Sequence, residues 1–396
     1  MNPIDTEELS RTPLTEWHRA HGGRMVPFAG FEMPVQFEGL NFEHAAVREG
    51  VGIFDISHMG EVRVRGAGVE SWLDGLSTNR ITGTAPGKVV YTAMCAPGGG
   101  VLDDMLIYRL ADHDWLVVCN AVNRGKIVDW LAERGRGVAG VAAEDASART
   151  AMIAVQGPES LVLMSRLAAL ADVRERLTEL DFYAALVLPR PEDDWIVSRT
   201  GYTGERGYEL YIPWRAALPL WEELLAEGDD LGVAPVGLAA RDTLRFEMGY
   251  SLYGHELSGD WTPLEAGIGW AVRLRNREFV GAEALRAQKR AGVPRRIAGL
   301  EVHGAPAGVR SRPAPIARQE TPVFAAGKQV GFVTSGTKSP SLNRSLALAM
   351  LETGRGEAEL EVEVRGKRYP ATVTSVPFLA PRVKGDPRAA RGQPTP

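Results

Sequence analysis

Two adjacent acids, Asp103 and Asp104, interrupt an apolar stretch that otherwise has the pattern of a buried β-strand. Side chains alternate between the faces of a strand, so Asp104 shares a face with Tyr108 and Asp103 lies on the other. An ionised carboxylate in apolar surroundings is costly unless it accepts hydrogen bonds. The pattern therefore predicts a polar partner for at least one acid, in the protein or on a ligand. The alternative is that both acids belong to the glycine-rich turn before them.

Further polar side chains in apolar segments are candidates for the same site. Tyr91 lies in a strand pattern before the acids, and Asn120 ends the strand pattern after them. A glycine-rich turn leads through Tyr202 to a strand that carries Glu209, and Arg241 interrupts an apolar helical pattern. Each has a structural alternative, because tyrosines are more often core residues and an arginine on a helix is often solvated or ion-paired.

Short strands and helices alternate over the first 290 residues and would position these side chains. The predicted strands are 61–65, 89–94, 101–110, 115–120, 149–156, 195–199 and 208–213. The predicted helices are 67–76, 124–135, 216–227 and 235–247. The strand patterns beyond a boundary at 291–296 are 297–302, 321–334, 358–364 and 367–374. Because no long helix separates these last strands, they predict a small barrel or Greek-key domain.

Composition limits the class of protein. The chain has 396 residues, of which 44% are hydrophobic and 24% charged, as in a soluble protein of two or three domains. A net charge of -5 argues against a nucleic-acid partner. Cys95, Cys119 and His58 lack companions at metal-ligand spacing, so we expect no metal. We also expect a cytoplasmic protein without a membrane partner, because the sequence has neither a signal peptide nor a run of about 20 apolar residues.

Several short segments occur in a fixed order along the chain. They are TPL at 12–14, GGRMVPFAG at 22–30, FDISHMG at 54–60, GGVLDD at 99–104, GYTGE at 201–205, GLAARDTLR at 237–245, TSGT at 334–337 and SPSL at 339–342. In this order they resemble the T-protein family of the glycine cleavage system, which are tetrahydrofolate-dependent aminomethyltransferases. The resemblance extends over about residues 12–378. Each segment is weak alone, and their order makes the resemblance specific.

The resemblance implies an α+β fold of three subdomains, arranged as a cloverleaf around a central folate cleft. Residues 1–290 would form two intertwined α+β subdomains and bind folate, and residues 294–380 would form a C-terminal β-barrel. The Pro-, Gly- and Arg-rich segment 381–396 has the composition of a flexible tail.

The resemblance also implies a reaction. The donor would be an aminomethyl group carried on the dihydrolipoyl arm of a small partner, the H-protein, which binds transiently. Tetrahydrofolate would accept the carbon as 5,10-methylenetetrahydrofolate, and ammonia and dihydrolipoyl H-protein would leave.

Site residues follow from the same segments. Asp104 matches the family's catalytic aspartate beside N10 of folate, Glu209 the carboxylate that binds the pterin, and Arg241 a folate-contacting arginine. The remaining matches line the pocket: Met59, Tyr91, Tyr108, Asn120, Tyr202, Tyr250 and Trp270. Arg382 and Lys384 are both candidates for the anionic tail of folate, and the sequence leaves this choice open.

The chemistry of these residue types suits folate. A pterin presents adjacent N–H and amino donors, from which a carboxylate can accept two hydrogen bonds. Its flat rings need aromatic and apolar walls, and its glutamate tail needs a cation. The anionic form of Asp104 would orient folate and stabilise developing positive charge, or accept a proton. We expect the placement of two bound reactants to account for the larger share of the rate enhancement, because reactions between well-placed groups gain most from it.

Two other functions use a similar fold. A folate-dependent demethylase would take a methyl group from a small S-, O- or N-methyl donor and would form 5-methyltetrahydrofolate. A folate-binding factor for iron–sulfur protein maturation would carry a Lys-Gly-Cys loop. The chain has no such loop, because Cys95 and Cys119 both lie in strand patterns.

Overall fold

The computed structural model describes residues 9–191, 193–304, 313–355 and 359–383. The helices in chain order are α1 Thr15–Ala20, α2 Leu40–Glu49, α3 Val69–Leu76, α4 Arg124–Gly135, α5 Ser160–Arg166, α6 Arg174–Glu179, α7 Ala217–Glu227, α8 Leu238–Glu247 and α9 Ala282–Ala291. The strands up to residue 235 are β1 Arg24–Phe28, β2 Phe31–Gln36, β3 Val51–Asp55, β4 Gly60–Arg65, β5 Val89–Cys95, β6 Val101–Ala111, β7 Asp114–Cys119, β8 Ala142–Asp145, β9 Thr150–Gln156, β10 Ala185–Leu188, β11 Trp195–Ser198, β12 Gly207–Pro213 and β13 Val233–Pro235. The later strands are β14 Arg295–Val302, β15 Pro322–Ala325, β16 Lys328–Lys338, β17 Ser345–Glu352, β18 Leu360–Val364 and β19 Lys367–Thr374.

Two sheets and a hairpin form the first part of the described chain. One sheet has the order β10-β11-β12-β9-β3-β13, and the other has the order β5-β6-β7-β4-β8. The β1–β2 hairpin stands beside them, and its turn at Ala29 and Gly30 has left-handed backbone angles. The strands at 61–65, 89–94, 101–110, 149–156 and 208–213 are confirmed to within about two residues at their ends.

Alternation along β6 explains how this strand serves both a core and a cavity. Asp103, Met105 and Ile107 are fully buried on one face, whereas Asp104 and Leu106 on the other face are only half-buried. The buried face packs with Leu73 and neighbouring residues of α3 and α4. The half-buried face is not covered by this core and borders an internal cavity, as the sequence predicts for Asp104.

The barrel predicted from the last strand patterns is confirmed as a closed barrel of order β14-β17-β16-β15-β18-β19. The pattern at 321–334 is a hairpin rather than one strand, because the chain reverses at Ala326 and Gly327 with left-handed angles. The barrel core is built from small and branched side chains such as Val323, Val333 and Leu351. Part of the pattern predicted at 358–364 lies outside the described residues, since Ala358 is not described.

None of the helices in the described residues is long and apolar enough to cross a membrane. Cys95 and Cys119 are buried free thiols in β5 and β7, as their strand patterns predict.

Candidate active site

A cavity of about 1270 Å³ lies between the two sheets and the chain segments near 248–270 and 376–381. Its volume exceeds the range of about 300–1,000 Å³ that is usual for small-molecule sites. Nine of the residues predicted for the site line it: Met59, Tyr91, Asp104, Asn120, Tyr202, Glu209, Arg241, Tyr250 and Trp270. The structure thus brings these residues together, whereas the role of each stays a prediction.

Asp104 lies in the wall of the cavity with both carboxyl oxygens hydrogen-bonded. The Tyr91 hydroxyl donates to Oδ2 at 2.9 Å, and the Asn120 amide donates to Oδ1 at 2.8 Å. Both partners come from strands that flank β6, since Tyr91 lies in β5 and Asn120 directly follows β7. Burial raises the pKa of Asp104 despite these two hydrogen bonds. The carboxyl is therefore fixed in one orientation and is a better proton acceptor than an exposed aspartate.

Glu209 and Arg241 provide opposite charges on another wall. The Thr200 hydroxyl donates a hydrogen bond to Oε2 of Glu209, and burial raises the pKa of this acid. The Arg241 guanidinium lies 4.8 Å from the ring centroid of Tyr202, and burial lowers its pKa. Arg241 forms no ion pair within the described ranges, so its charge is available to a ligand.

Two stacked aromatic pairs form flat walls. Tyr202 and Tyr250 stack with ring centroids 5.8 Å apart, and Tyr91 and Trp270 stack at 5.1 Å. Trp270 lines the cavity although its side chain is 58% exposed, an unusual state for a tryptophan. Planar aromatic walls of this kind suit a planar ring ligand.

Tyr108 is not among the residues that line the cavity, and its predicted contact with folate stays a prediction. It lies on the same face of β6 as Asp104, but farther along the strand, where it is fully buried between the two sheets. Its hydroxyl oxygen is 2.6 Å from that of Tyr211, which does line the cavity. Tyr108 thus lies behind the cavity wall and contacts Tyr211, which is part of it.

Many residues that the sequence analysis did not place in the site also line the cavity, among them Tyr211, Tyr183 and His58. Tyr211 follows Glu209 by two residues on β12, so strand alternation alone could have identified it. Tyr183 has a left-handed backbone angle in a loop, for which the sequence carries no signal. His58 is buried with its Nδ1 atom unpartnered among the described residues, and burial lowers its pKa to about 4.

The end of the described chain includes one of the two candidates for the folate tail, Arg382. Arg382 donates to Glu205 at 2.6 Å and to the backbone oxygen of Arg48 at 2.7 Å. Its guanidinium is thus occupied in an ion pair with Glu205, and the neighbouring Pro381 lines the cavity. Lys384 and the remainder of the tail predicted at 381–396 lie outside the described residues.

Comparison with known proteins gives the family. Residues 14–276 match the model of the GCVT N-terminal domain, and residues 295–379 match that of the glycine cleavage T-protein C-terminal barrel domain. The chain belongs to the glycine cleavage T-protein family. Relatives named aminomethyltransferase include one from Geobacillus thermodenitrificans, 44% identical over 93% of this chain and 98% of the relative. Another, from Desulforamulus reducens, is 41% identical over 94% of this chain and 98% of the relative.

A solved structure supports the same family. The glycine cleavage system aminomethyltransferase T from Bartonella henselae matches with a TM-score of 0.85 and 31% identity, over 95% of this chain and 100% of that one. The resemblance stated from the ordered segments is therefore confirmed, as are the fold class and the assignment as a transferase. The domain boundaries at 290 and 294 stay a prediction.

Proposed function

We propose that this chain transfers the one-carbon unit of an S-aminomethyl-dihydrolipoyl H-protein to tetrahydrofolate. The products are 5,10-methylenetetrahydrofolate, ammonia and dihydrolipoyl H-protein. The observation that carries the proposal is the convergence of Asp104, Glu209 and Arg241 with two stacked aromatic pairs in one cavity, in a chain of this family. A cytoplasmic location is part of the proposal and fits the two buried free thiols.

Different cavity residues bind different parts of folate. Glu209 accepts hydrogen bonds from the donor edge of the pterin, because its Oε2 is already oriented by Thr200. Tyr202 and Tyr250 pack against the rings, and Arg241 attracts the negative charge of folate. The volume of about 1270 Å³ leaves room for a second reactant beside a ligand the size of folate.

Asp104 acts where the two reactants meet. Its carboxyl is held by Tyr91 and Asn120, so it needs no reorganisation when positive charge develops on the transferred carbon or nitrogen. A carboxylate with a raised pKa also accepts a proton more readily, so Asp104 can take the proton that the attacking folate nitrogen loses and return it to the nitrogen that leaves as ammonia. Placement of the reactants and electrostatic stabilisation contribute more to the rate enhancement than proton transfer does.

The test is product analysis with purified chain, tetrahydrofolate and aminomethylated lipoyl H-protein. We expect ammonia and 5,10-methylenetetrahydrofolate in equal amounts. Formation of 5-methyltetrahydrofolate from a small methyl donor, without activity on the lipoyl protein, would instead identify a demethylase.

The matched variant is Asp104→Asn, which keeps the shape of the side chain. We expect transfer to slow by about 10²-fold or more while the affinity for tetrahydrofolate changes only slightly. Near-normal turnover in a folded Asp104→Asn protein would make Asp104 a structural residue.

A further inference from the structure

A buried histidine in the cavity wall has an unsatisfied ring nitrogen. His58 is 2% exposed and lies between the lining residues Ile56 and Met59, in the turn from β3 to β4. Its Nδ1 atom has no hydrogen-bond partner within the described ranges. Buried polar side-chain atoms in native proteins are nearly always hydrogen-bonded, so an exception calls for an explanation. An exception in the wall of a cavity points to a ligand.

Hydrogen bonds fix the turn that carries His58. Ile56 donates its backbone N–H to the oxygen of Met152 at 3.0 Å, and the Ser57 hydroxyl donates to the same oxygen at 3.2 Å. The backbone N–H of Ser57 donates to the Asp55 carboxylate at 3.0 Å. Because the turn joins β3 of one sheet to β4 of the other, both sheets hold it in place. The ring is thus positioned before a ligand arrives, which lowers the entropic cost of binding.

The ring neighbours of His58 are two phenyl groups from the β1–β2 hairpin. The rings of Phe28 and Phe31 meet the imidazole in T-shaped contacts, with centroids 5.5 and 6.4 Å away. Phenyl rings cover part of the imidazole but offer its nitrogens no polar partner. A phenylalanine at position 58 would pack against the same rings, so packing alone gives no reason for a histidine here.

The surroundings of His58 keep it uncharged. Burial, and then the positive charge of Arg241, lower the pKa of His58 to about 4, against the opposing effect of Asp55. Asp55 is itself hydrogen-bonded to His18 at 2.9 Å and to Thr12 at 2.5 Å. The imidazole is therefore neutral near pH 7, and it has one nitrogen that donates and one that accepts.

Arg241 relates His58 to the charged end of the cavity. Its positive charge opposes the rise in the pKa of Glu209 and contributes to the fall in the pKa of His58. A carboxylate can only accept hydrogen bonds, and a guanidinium can only donate them. A neutral imidazole can do either. Since a reduced pterin ring has both N–H donors and a carbonyl oxygen, His58 complements the two charged residues.

We propose that His58 is a folate-binding residue: its neutral imidazole forms a hydrogen bond with the reduced pterin ring, next to Arg241 and Glu209. The inference rests on the proposed function, because it requires tetrahydrofolate in this cavity. It assigns to His58 a share in binding the ring and leaves the transfer step to Asp104. Without a ligand the unsatisfied imidazole destabilises the fold, and binding removes that cost.

His58→Phe separates this role from packing, because a phenyl ring fits beside Phe28 and Phe31 but forms no such hydrogen bond. In calorimetric titration we expect the variant to bind tetrahydrofolate about tenfold more weakly than wild type. The KM for tetrahydrofolate should rise by a similar factor, while kcat and the KM for the lipoyl protein stay within about twofold. The denaturant midpoint of the ligand-free variant should not fall, since an unsatisfied polar group has been removed.

Two amide variants identify the nitrogen that binds. The side-chain amide of His58→Asn lies near the position of Nδ1, and that of His58→Gln lies near the position of Nε2. One of the two should bind tetrahydrofolate more tightly than His58→Phe, whereas recovery in neither would overturn the inference. If His58→Phe does not fold, His58→Met takes its place, because its flexible apolar side chain adapts to irregular space.

The control is His113→Phe, which changes an exposed histidine outside the cavity lining and should bind tetrahydrofolate like wild type. A wild-type chain that does not bind tetrahydrofolate would overturn the proposed function, and this inference with it. A wild-type chain that binds it, together with an apolar variant of His58 that binds it equally well, would overturn the inference alone.

Discussion

At the scale of residues, the cavity keeps charges in surroundings that disfavour them. Burial raises the pKa of Asp104 and of Glu209, and it lowers the pKa of Arg241. A ligand that donates hydrogen bonds to the acids and carries negative charge towards Arg241 would relieve these three costs together. Tetrahydrofolate has both features, which is why the electrostatics of the cavity favour it as the acceptor.

Sequence reasoning located Asp104, Glu209 and Arg241 in the cavity and missed two further charged lining residues, Arg80 and Glu256, and part of the wall. Alternation along one strand is local, so it placed Asp104 towards the interior correctly. It could not give the depth of Tyr108, because that depends on how the two sheets pack. Nor could it give the contact between Asp103 and Asn120, because this follows from where β7 ends beside β6.

At the scale of elements, the start of β6 determines where the paired acids lie. The turn before it packs tightly on a loop near Gly259, since a Cβ atom added to Gly100 would lie 2.0 Å from the backbone oxygen of Gly259. Val101 also donates a backbone hydrogen bond to the oxygen of Trp261 at 3.2 Å. Glycine at position 100 therefore permits a close approach of two backbones.

Gly100→Ala should lower the free energy of unfolding by about 2 kcal/mol, because the new methyl group forces the two loops apart. Denaturant unfolding measures the change. The control is Gly98→Ala in the same turn, where an added Cβ atom meets nothing within 4 Å. Equal stability of the two variants would contradict the packing described for this turn.

At the scale of the whole molecule, a buried acid joins the barrel to the first part of the chain. Glu247 at the end of α8 contacts Arg48 of α2 at 2.9 Å, and Ser339 and Ser341 of the barrel donate to it at 2.5 and 2.8 Å. Burial alone would raise the pKa of Glu247, but His44, Ser339 and Arg48 together lower it to about 2. The sequence predicted the barrel from its strand patterns, whereas this link joins Glu247 to serines 92 and 94 positions farther along the chain and has no local signal.

Glu247→Gln should lower the free energy of unfolding by about 3 kcal/mol at neutral pH, since it removes one of the two carboxylates that pair with the buried Arg48. The folded-state pKa lies below the ordinary value of 4.5, so the carboxylate stabilises the fold above that pH and loses its effect as the pH falls towards 2. The difference between variant and wild type should shrink over the same interval. Unfolding curves at several pH values measure it.

The control for this measurement is Glu278→Gln, which removes an acid whose side chain is 84% exposed in its pair with Arg286. Its effect should be small at every pH. A Glu247→Gln protein as stable as this control would show that the link does not hold the barrel in place.

The central claim is that the cavity binds a reduced pterin through Glu209, and calorimetric titration with tetrahydrofolate tests it most directly. Glu209→Gln should bind at least about tenfold more weakly than wild type, because hydrogen bonds to a charged acceptor are lost. Glu222→Gln, an exposed acid on α7, is the control and should bind like wild type. Equal affinity of Glu209→Gln and wild type would contradict the account.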